Sequence, residues 1–125
     1  RKPVARLVGH AGHAQEPEWF TTAPAGALRT LLGRVGWQAG EVDLYEVNEA
    51  FAAVTMAALR DLELDAARVN VNGGACALGH PIGATGARIV ATLVHALRAR
   101  GGRRGVAALC IGGGEATAVA VELLT

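Results

Sequence analysis

A single histidine, His80, stands inside the glycine-rich run Asn72-Gly-Gly-Ala-Cys-Ala-Leu-Gly-His-Pro-Ile-Gly-Ala-Thr-Gly86. Glycine gives up stability for backbone freedom. A chain accepts that mainly where backbone must approach something closely or hold a side chain at a set angle. A second run of the same kind follows at Cys110-Ile-Gly-Gly-Gly-Glu115. Together the two supply an imidazole, a thiol and a cluster of backbone N–H groups, the raw material of an acyl-transfer site.

Each of these residues has a chemical reading and a plainer one. His80 precedes Pro81, which reads as the first position of a helix, so the ring is expected near a positive helix end. That field disfavours imidazolium and keeps the ring neutral. A neutral imidazole can take a proton from a thiol or donate one hydrogen bond to an oxyanion; the plainer histidine only caps or packs. Cys110 ends an apolar run and faces three glycines. It is either a small buried hydrophobe or a thiol acid/base or nucleophile. Gly112 and Gly113 can turn their N–H groups toward a developing negative oxygen, although a simple hairpin would use the same glycines. Asn48 reads as a helix N-cap or as the holder of a water or carbonyl oxygen. Cys76 reads as packing.

Rival motifs fail on spacing. Gly79, Gly83 and Gly86 do not form the dinucleotide fingerprint, and no Lys-Ser/Thr follows as a phosphate loop requires. Cys76, His80 and the distant Cys110 do not match a zinc pattern, so no metal is expected. There is no G-x-S-x-G elbow. With a net charge of +1, nothing argues for a nucleic-acid or membrane partner. The basic residues from Arg98 to Arg104 read as a solvated helix end. Two cysteines and no apolar run long enough to span a bilayer make a reducing cytoplasm the simplest location. The chain opens on Arg1 and its one methionine is Met56. It therefore reads as a piece of something longer or as the product of an unusual start or processing.

The 125 residues suffice for one domain with its own core. Aromatics are only 4% against 51% hydrophobic residues, so the core must be built from Ala, Val, Leu and Ile. Strands are expected at Val4–Val8, Val42–Val47, Val69–Val71, Gly105–Ile111 and Thr117–Leu124, with loop from Gly9 to Ala23. Helices are expected at Ala25–Val35, stopped by Gly36; after Asn48, with Phe51, Val54, Ala58 and Leu62 along one side; and from Pro81, with Ile82, Ile89, Leu93 and Leu97 as its stripe. Alternating strands and helices imply a mostly parallel sheet covered on both faces. The tight glycine turn implies one antiparallel neighbour, the last strand.

Asn48-Glu-Ala-Phe51, the run Asn72 to Arg88, and Cys110-Ile-Gly-Gly-Gly114 resemble three signatures of the thiolases, in that family's order and at its usual separations. The resemblance covers nearly the whole chain but only the C-terminal half of a thiolase. It implies an α/β domain of three layers, α/β/α, with a five-stranded mixed sheet. It also implies acyl transfer between acyl-CoA molecules, by Claisen condensation or by thiolytic cleavage of a 3-ketoacyl-CoA. Coenzyme A thioesters would be substrates, with no further cofactor.

By that resemblance His80 activates a nucleophilic cysteine and helps form one oxyanion hole, and Asn48 holds the water that completes it. Cys110 is the general acid/base, and the Gly112 N–H belongs to a second oxyanion hole. Phe51 and Ala50 are expected along the acyl or pantetheine path. The family's nucleophile lies in the N-terminal half, and neither cysteine here stands at its place. The chain alone is therefore expected to be inactive and to expose an apolar face. That face implies self-association or pairing with an N-terminal half. The alternative is a non-catalytic remnant or accessory domain that binds a partner chain. A decarboxylating condensing enzyme fits less well, since by resemblance it would carry a histidine where Cys110 stands.

Overall fold

The structure, a computed structural model, describes residues 2–124. Strand β1 (Ala5–Ala14) is followed by a 3-10 turn (Pro17–Thr22), helix α1 (Ala23–Val35) and strand β2 (Leu44–Val47). Helix α2 (Ala52–Asp61), the short α3 (Ala75–Leu78) and the long α4 (Thr85–Arg100) come next. Strands β3 (Arg104–Ile111) and β4 (Glu115–Leu123) complete the domain. The sheet order is β1-β4-β3-β2. Strands β2 and β3 run parallel, while β4 is antiparallel to both neighbours.

Two expectations about the sheet are corrected. Among the described residues it has four strands rather than five. Val69 makes one parallel bridge with Tyr45, and then Asn70 turns into the left-handed region at φ 49°. The Asn70 side chain continues the pairing that the backbone abandons: its Oδ1 accepts from Val47 N–H at 2.8 Å and its Nδ2 donates to Val47 O at 2.8 Å. The sheet is also not mostly parallel, having one parallel ladder and two antiparallel ones. Composition suggested a loop from Gly9 to Ala23, yet β1 runs on to Ala14 as an edge strand. All nine residues of β4 find partners on it, with a bulge at Val8 and Ala11 opposite Ala118, and pairing overrides weak strand propensity.

Alternation along the strands builds two cores. Val106, Ala108, Ala116, Ala118 and Ala120 point to one face, where α1 and α2 bring Leu28, Leu31, Val54 and Ala58. Ala107, Val121 and Leu44 point to the other, where α4 brings Ile89, Leu93 and Leu97. Alanines in the strands let the helices lie close. Each fully buried Leu or Ile is worth about 1.5–3 kcal/mol of burial, so both layers are held without aromatic bulk. α1 carries a proline in its first turn and ends on Gly36 at φ 70°, as its sequence predicts. Arg98 and Arg100 close α4 before Gly101, while Arg103 pairs with Glu122 and Arg104 with Glu41. Among the described residues no helix is long and apolar enough to cross a membrane.

Two helix starts also differ from expectation, and both differences shape the site. α2 begins at Ala52 with Phe51, not Asn48, at the N-cap. Asn48 through Phe51 form a bent entry that carries Asn48 inward from the end of β2. Val54 and Ala58 are buried as the stripe requires, but Phe51 is 61% exposed. α4 begins at Thr85 rather than Pro81. The N–H groups of Ala84 and Thr85 both turn back onto Pro81 O at 2.8 Å, and Ile82 is 84% exposed instead of joining the stripe.

Candidate active site

Asn48 follows the C-terminal end of β2 and Cys110 lies near that of β3, two adjacent parallel strands. That end of an open α/β sheet is where crevices form. His80 arrives there on the glycine-rich loop between α3 and α4. A cleft of about 550 Å³ opens between these pieces, and His80, Cys110, Gly112, Phe51 and Ala50 all line it. The structure thus brings five of the six site residues expected from sequence into one cleft. The sixth, Asn48, lies beneath the histidine, 1% exposed. Phe20, Ile82, Leu109 and Ile111 give the cleft an apolar rim, and Phe20 meets Phe51 edge to face with ring centroids 6.1 Å apart.

Hydrogen-bond partners bias the tautomer of His80. Thr85 Oγ1 donates to Pro81 O at 2.9 Å. A hydroxyl has one proton to give, so toward the ring it acts as acceptor. This arrangement favours His80 Nδ1, 2.7 Å from that oxygen, as the donating nitrogen. Nε2 faces Asn48 Nδ2 at 3.5 Å. The helix terminus expected directly behind His80 is reached instead through the side chain of its first residue, Thr85.

A polar chain continues under the cleft. Arg88 Nη2 donates to Asn48 Oδ1 at 3.2 Å, and Arg88 Nη1 lies 3.7 Å from Glu46 Oε2. Glu46 is 2% exposed. Burial pushes its carboxyl up to about 7, with Arg88 pulling the other way and Glu49 adding a smaller push. Glu49 behaves oppositely. Burial opposes its ionisation, but the N–H of Cys76 and the amide of Asn70 hold it below the usual carboxylate range. Gly74 leaves the room this carboxylate occupies, since a Cβ there would collide with it. Gly73 and Gly79 take positive φ angles of 83° and 90°. These are the positions where the loop requires glycine.

The thiols divide differently from expectation. Cys76 is exposed rather than packed; what the fold uses there is its backbone N–H, on Glu49. Cys110 is half-buried, and burial pushes its thiol above the ordinary cysteine range. It is a protonated thiol at neutral pH. Gly114 shapes the turn after it, at φ 96° with a Cβ position that would drive into Gln15 O.

Sequence reasoning missed Thr85, Arg88, Glu46, Glu49 and Asn70 as parts of the site. For Glu46 a signal was present: a lone carboxylate inside an apolar four-residue strand. Thr85 and Arg88 lay inside the quoted motif without a role.

Residues 1–123 match the family model described as thiolase, C-terminal domain. The chain belongs to the thiolase family, as a C-terminal domain. It is 49% identical over 121 residues to the cytosolic acetyl-CoA acetyltransferase of Mus musculus, covering 97% of this chain and 30% of that protein. A thiolase from Ascaris suum, solved in complex with coenzyme A, superposes with a TM-score of 0.93 at 50% identity, over 98% of this chain and 32% of that one. Human mitochondrial 3-ketoacyl-CoA thiolase superposes with a TM-score of 0.95 at 46% identity, over 98% and 31%. The chain therefore spans about 30% of the length of the thiolases it matches.

Proposed function

We propose that this chain is the catalytic C-terminal part of a thiolase, which interconverts two acyl-CoA molecules with a 3-ketoacyl-CoA and coenzyme A. The observation that supports it is the arrangement at His80: a ring with Nδ1 on the Thr85 hydroxyl and Nε2 facing Asn48, in a cleft shared with Cys110 and Gly112. In thiolytic cleavage, a cysteine from the N-terminal part gives its proton to His80 Nε2 and attacks the 3-keto carbon. The C2–C3 bond breaks, and its electron pair becomes the enolate of acetyl-CoA. His80 Nε2, now carrying a proton, donates to the enolate oxygen together with a water held by Asn48. Cys110 protonates C2, then takes the proton of incoming coenzyme A, whose thiolate releases the acyl group. The Gly112 N–H steadies the tetrahedral oxyanion on the acylated cysteine. Condensation runs these steps in reverse.

Ala50, Phe51 and the apolar rim line the path of the acyl chain or pantetheine. Ile82, Phe51 and Leu78 stand exposed here, in keeping with a surface that an N-terminal thiolase part covers; self-association would cover it in that part's absence. The mouse relative is named cytosolic and both thiols here are free, which supports a cytoplasmic location. The test is thiolysis of acetoacetyl-CoA, followed at the loss of its enolate absorbance. The chain alone is expected to be inactive. Activity is expected with an added N-terminal part, and is abolished by His80→Ala. An assembled but inactive pair would instead establish a non-catalytic accessory domain.

A further inference from the structure

The Glu46–Arg88 pair is costly and is not explained by packing. A buried ion pair seldom outperforms well-packed apolar residues of the same size. This one is also poorly made: the charged groups stand 3.7 Å apart, and Glu46 Oε1, Arg88 Nε and Arg88 Nη1 have no hydrogen-bond partner among the described residues. The one good contact that Arg88 makes among the described residues points elsewhere, to Asn48 Oδ1.

We propose that Arg88, seated on Glu46, is a positioning residue that fixes which end of the Asn48 amide faces His80. An amide side chain can sit in its pocket either way round, with oxygen or NH₂ outward. A guanidinium carries only donors. Beside Arg88, only the oxygen end of Asn48 is accommodated, so the NH₂ end must point at His80. That end is a donor, and it meets the Nε2 lone pair that Thr85 secures from the other side of the ring. Arg88 and Thr85, both from the first turns of α4, thus clamp one imidazole tautomer from its two edges. Glu46 on β2 holds the guanidinium at the depth of the amide. Neither Glu46 nor Arg88 lines the cleft, so they act through Asn48 and not on substrate. The catalytic consequence rests on the function proposed above; the orientation itself does not.

The test separates the two. In the chain alone, the ring nitrogens of His80 and the side-chain amide of Asn48 are followed by nitrogen-15 NMR in wild type, Arg88→Met and Arg88→Lys. The proposal expects one dominant Nδ1–H tautomer in wild type. In Arg88→Met the Asn48 amide signals shift and the tautomer ratio falls by about tenfold, with partial recovery in Arg88→Lys. Unchanged His80 and Asn48 signals in a folded Arg88→Met overturn it. Where Arg88→Met does not fold, Arg88→Gln carries the same decision: its amide can present either end to Asn48, so the Asn48 signals move if Arg88 sets the orientation and stay if it does not. In the assembled enzyme, Arg88→Met is expected to lower kcat about tenfold with KM within about twofold. An inactive wild-type assembly would count against the proposed function and leave the NMR result standing.

Discussion

The two walls of the cleft are built on opposite plans. The His80 wall is a polar scaffold: Thr85 and Asn48 touch the ring, Arg88 and Glu46 stand behind Asn48, and Glu49 with Asn70 brace the loop. The Cys110 wall is almost bare of polar side chains. Its thiol lies one residue from the end of an apolar strand, on a residue paired across to Ala116, and the glycines follow Ile111. The difference follows from what each group must do. An imidazole has two nitrogens, and its neighbours decide which one carries the proton. A thiol has one site, already protonated at neutral pH, and burial only pushes its pKa higher. Tautomer control needs hydrogen bonds; thiol protonation needs only shape.

That comparison predicts different sensitivities, and the largest lies on the bare wall. Gly114→Ala asks a side chain to adopt φ 96° and to enter the Gln15 carbonyl. It should lower stability by about 3 kcal/mol or more, read as the urea midpoint of the chain. A shift below about 1 kcal/mol would show that the turn yields. On the polar wall, Thr85→Val keeps the shape and removes the acceptor for His80 Nδ1. The assembled enzyme should lose about 100-fold in kcat while the domain melts within a few degrees of wild type. A loss matched by unfolding would reduce Thr85 to a structural residue.

The carboxylates behind His80 give a pH signature. The folded-state pKa of Glu46 is raised from 4.5 to about 7, so the folded chain binds a proton that the unfolded chain has released. Stability should therefore fall as pH rises from about 4.5 to 7, by about 3–4 kcal/mol, and level off above. Glu46→Gln should flatten that slope. Glu49, shifted down, works the other way: its contribution is present above the ordinary carboxylate range and is lost as pH falls through its lowered value. A denaturation series across pH on Glu46→Gln separates them, and an unchanged slope would place the titration elsewhere. The smallest effect belongs to the rim. Phe51→Ala removes one edge-to-face contact with Phe20, worth about 0.5–1 kcal/mol. It should weaken assembly with an N-terminal part more than it weakens the domain. Equal weakening of both would make Phe51 a core residue.

The bare wall was the more legible one in sequence. Cys110, Gly112 and the turn are contiguous, and the glycines announce a backbone constraint in the letters themselves. His80 was legible for the same reason. Its support was not, because Glu46 and Arg88 lie on different layers and meet only after β2 and α4 pack. Asn48 illustrates the limit: its type suits an N-cap, and only the later start of α2 shows the side chain turned inward. Pro81 and Ile82 misled in a parallel way, since a proline that can open a helix can equally open the turn before it. The missing fifth strand turned on one residue. Asn70 adopts a left-handed backbone and pairs through its side chain, a choice that strand propensity does not register.

Exchange of the methyl protons of acetyl-CoA with deuterated water, measured on the chain assembled with an N-terminal thiolase part, tests the central division of labour most directly. Wild type should exchange. Cys110→Ala should slow exchange by about 100-fold or more while acyl-enzyme still forms, because a thiolate leaves without a strong acid. His80→Ala should lose both. Exchange that survives Cys110→Ala at the wild-type rate would contradict the account, and would move the proton-transferring role away from the bare wall.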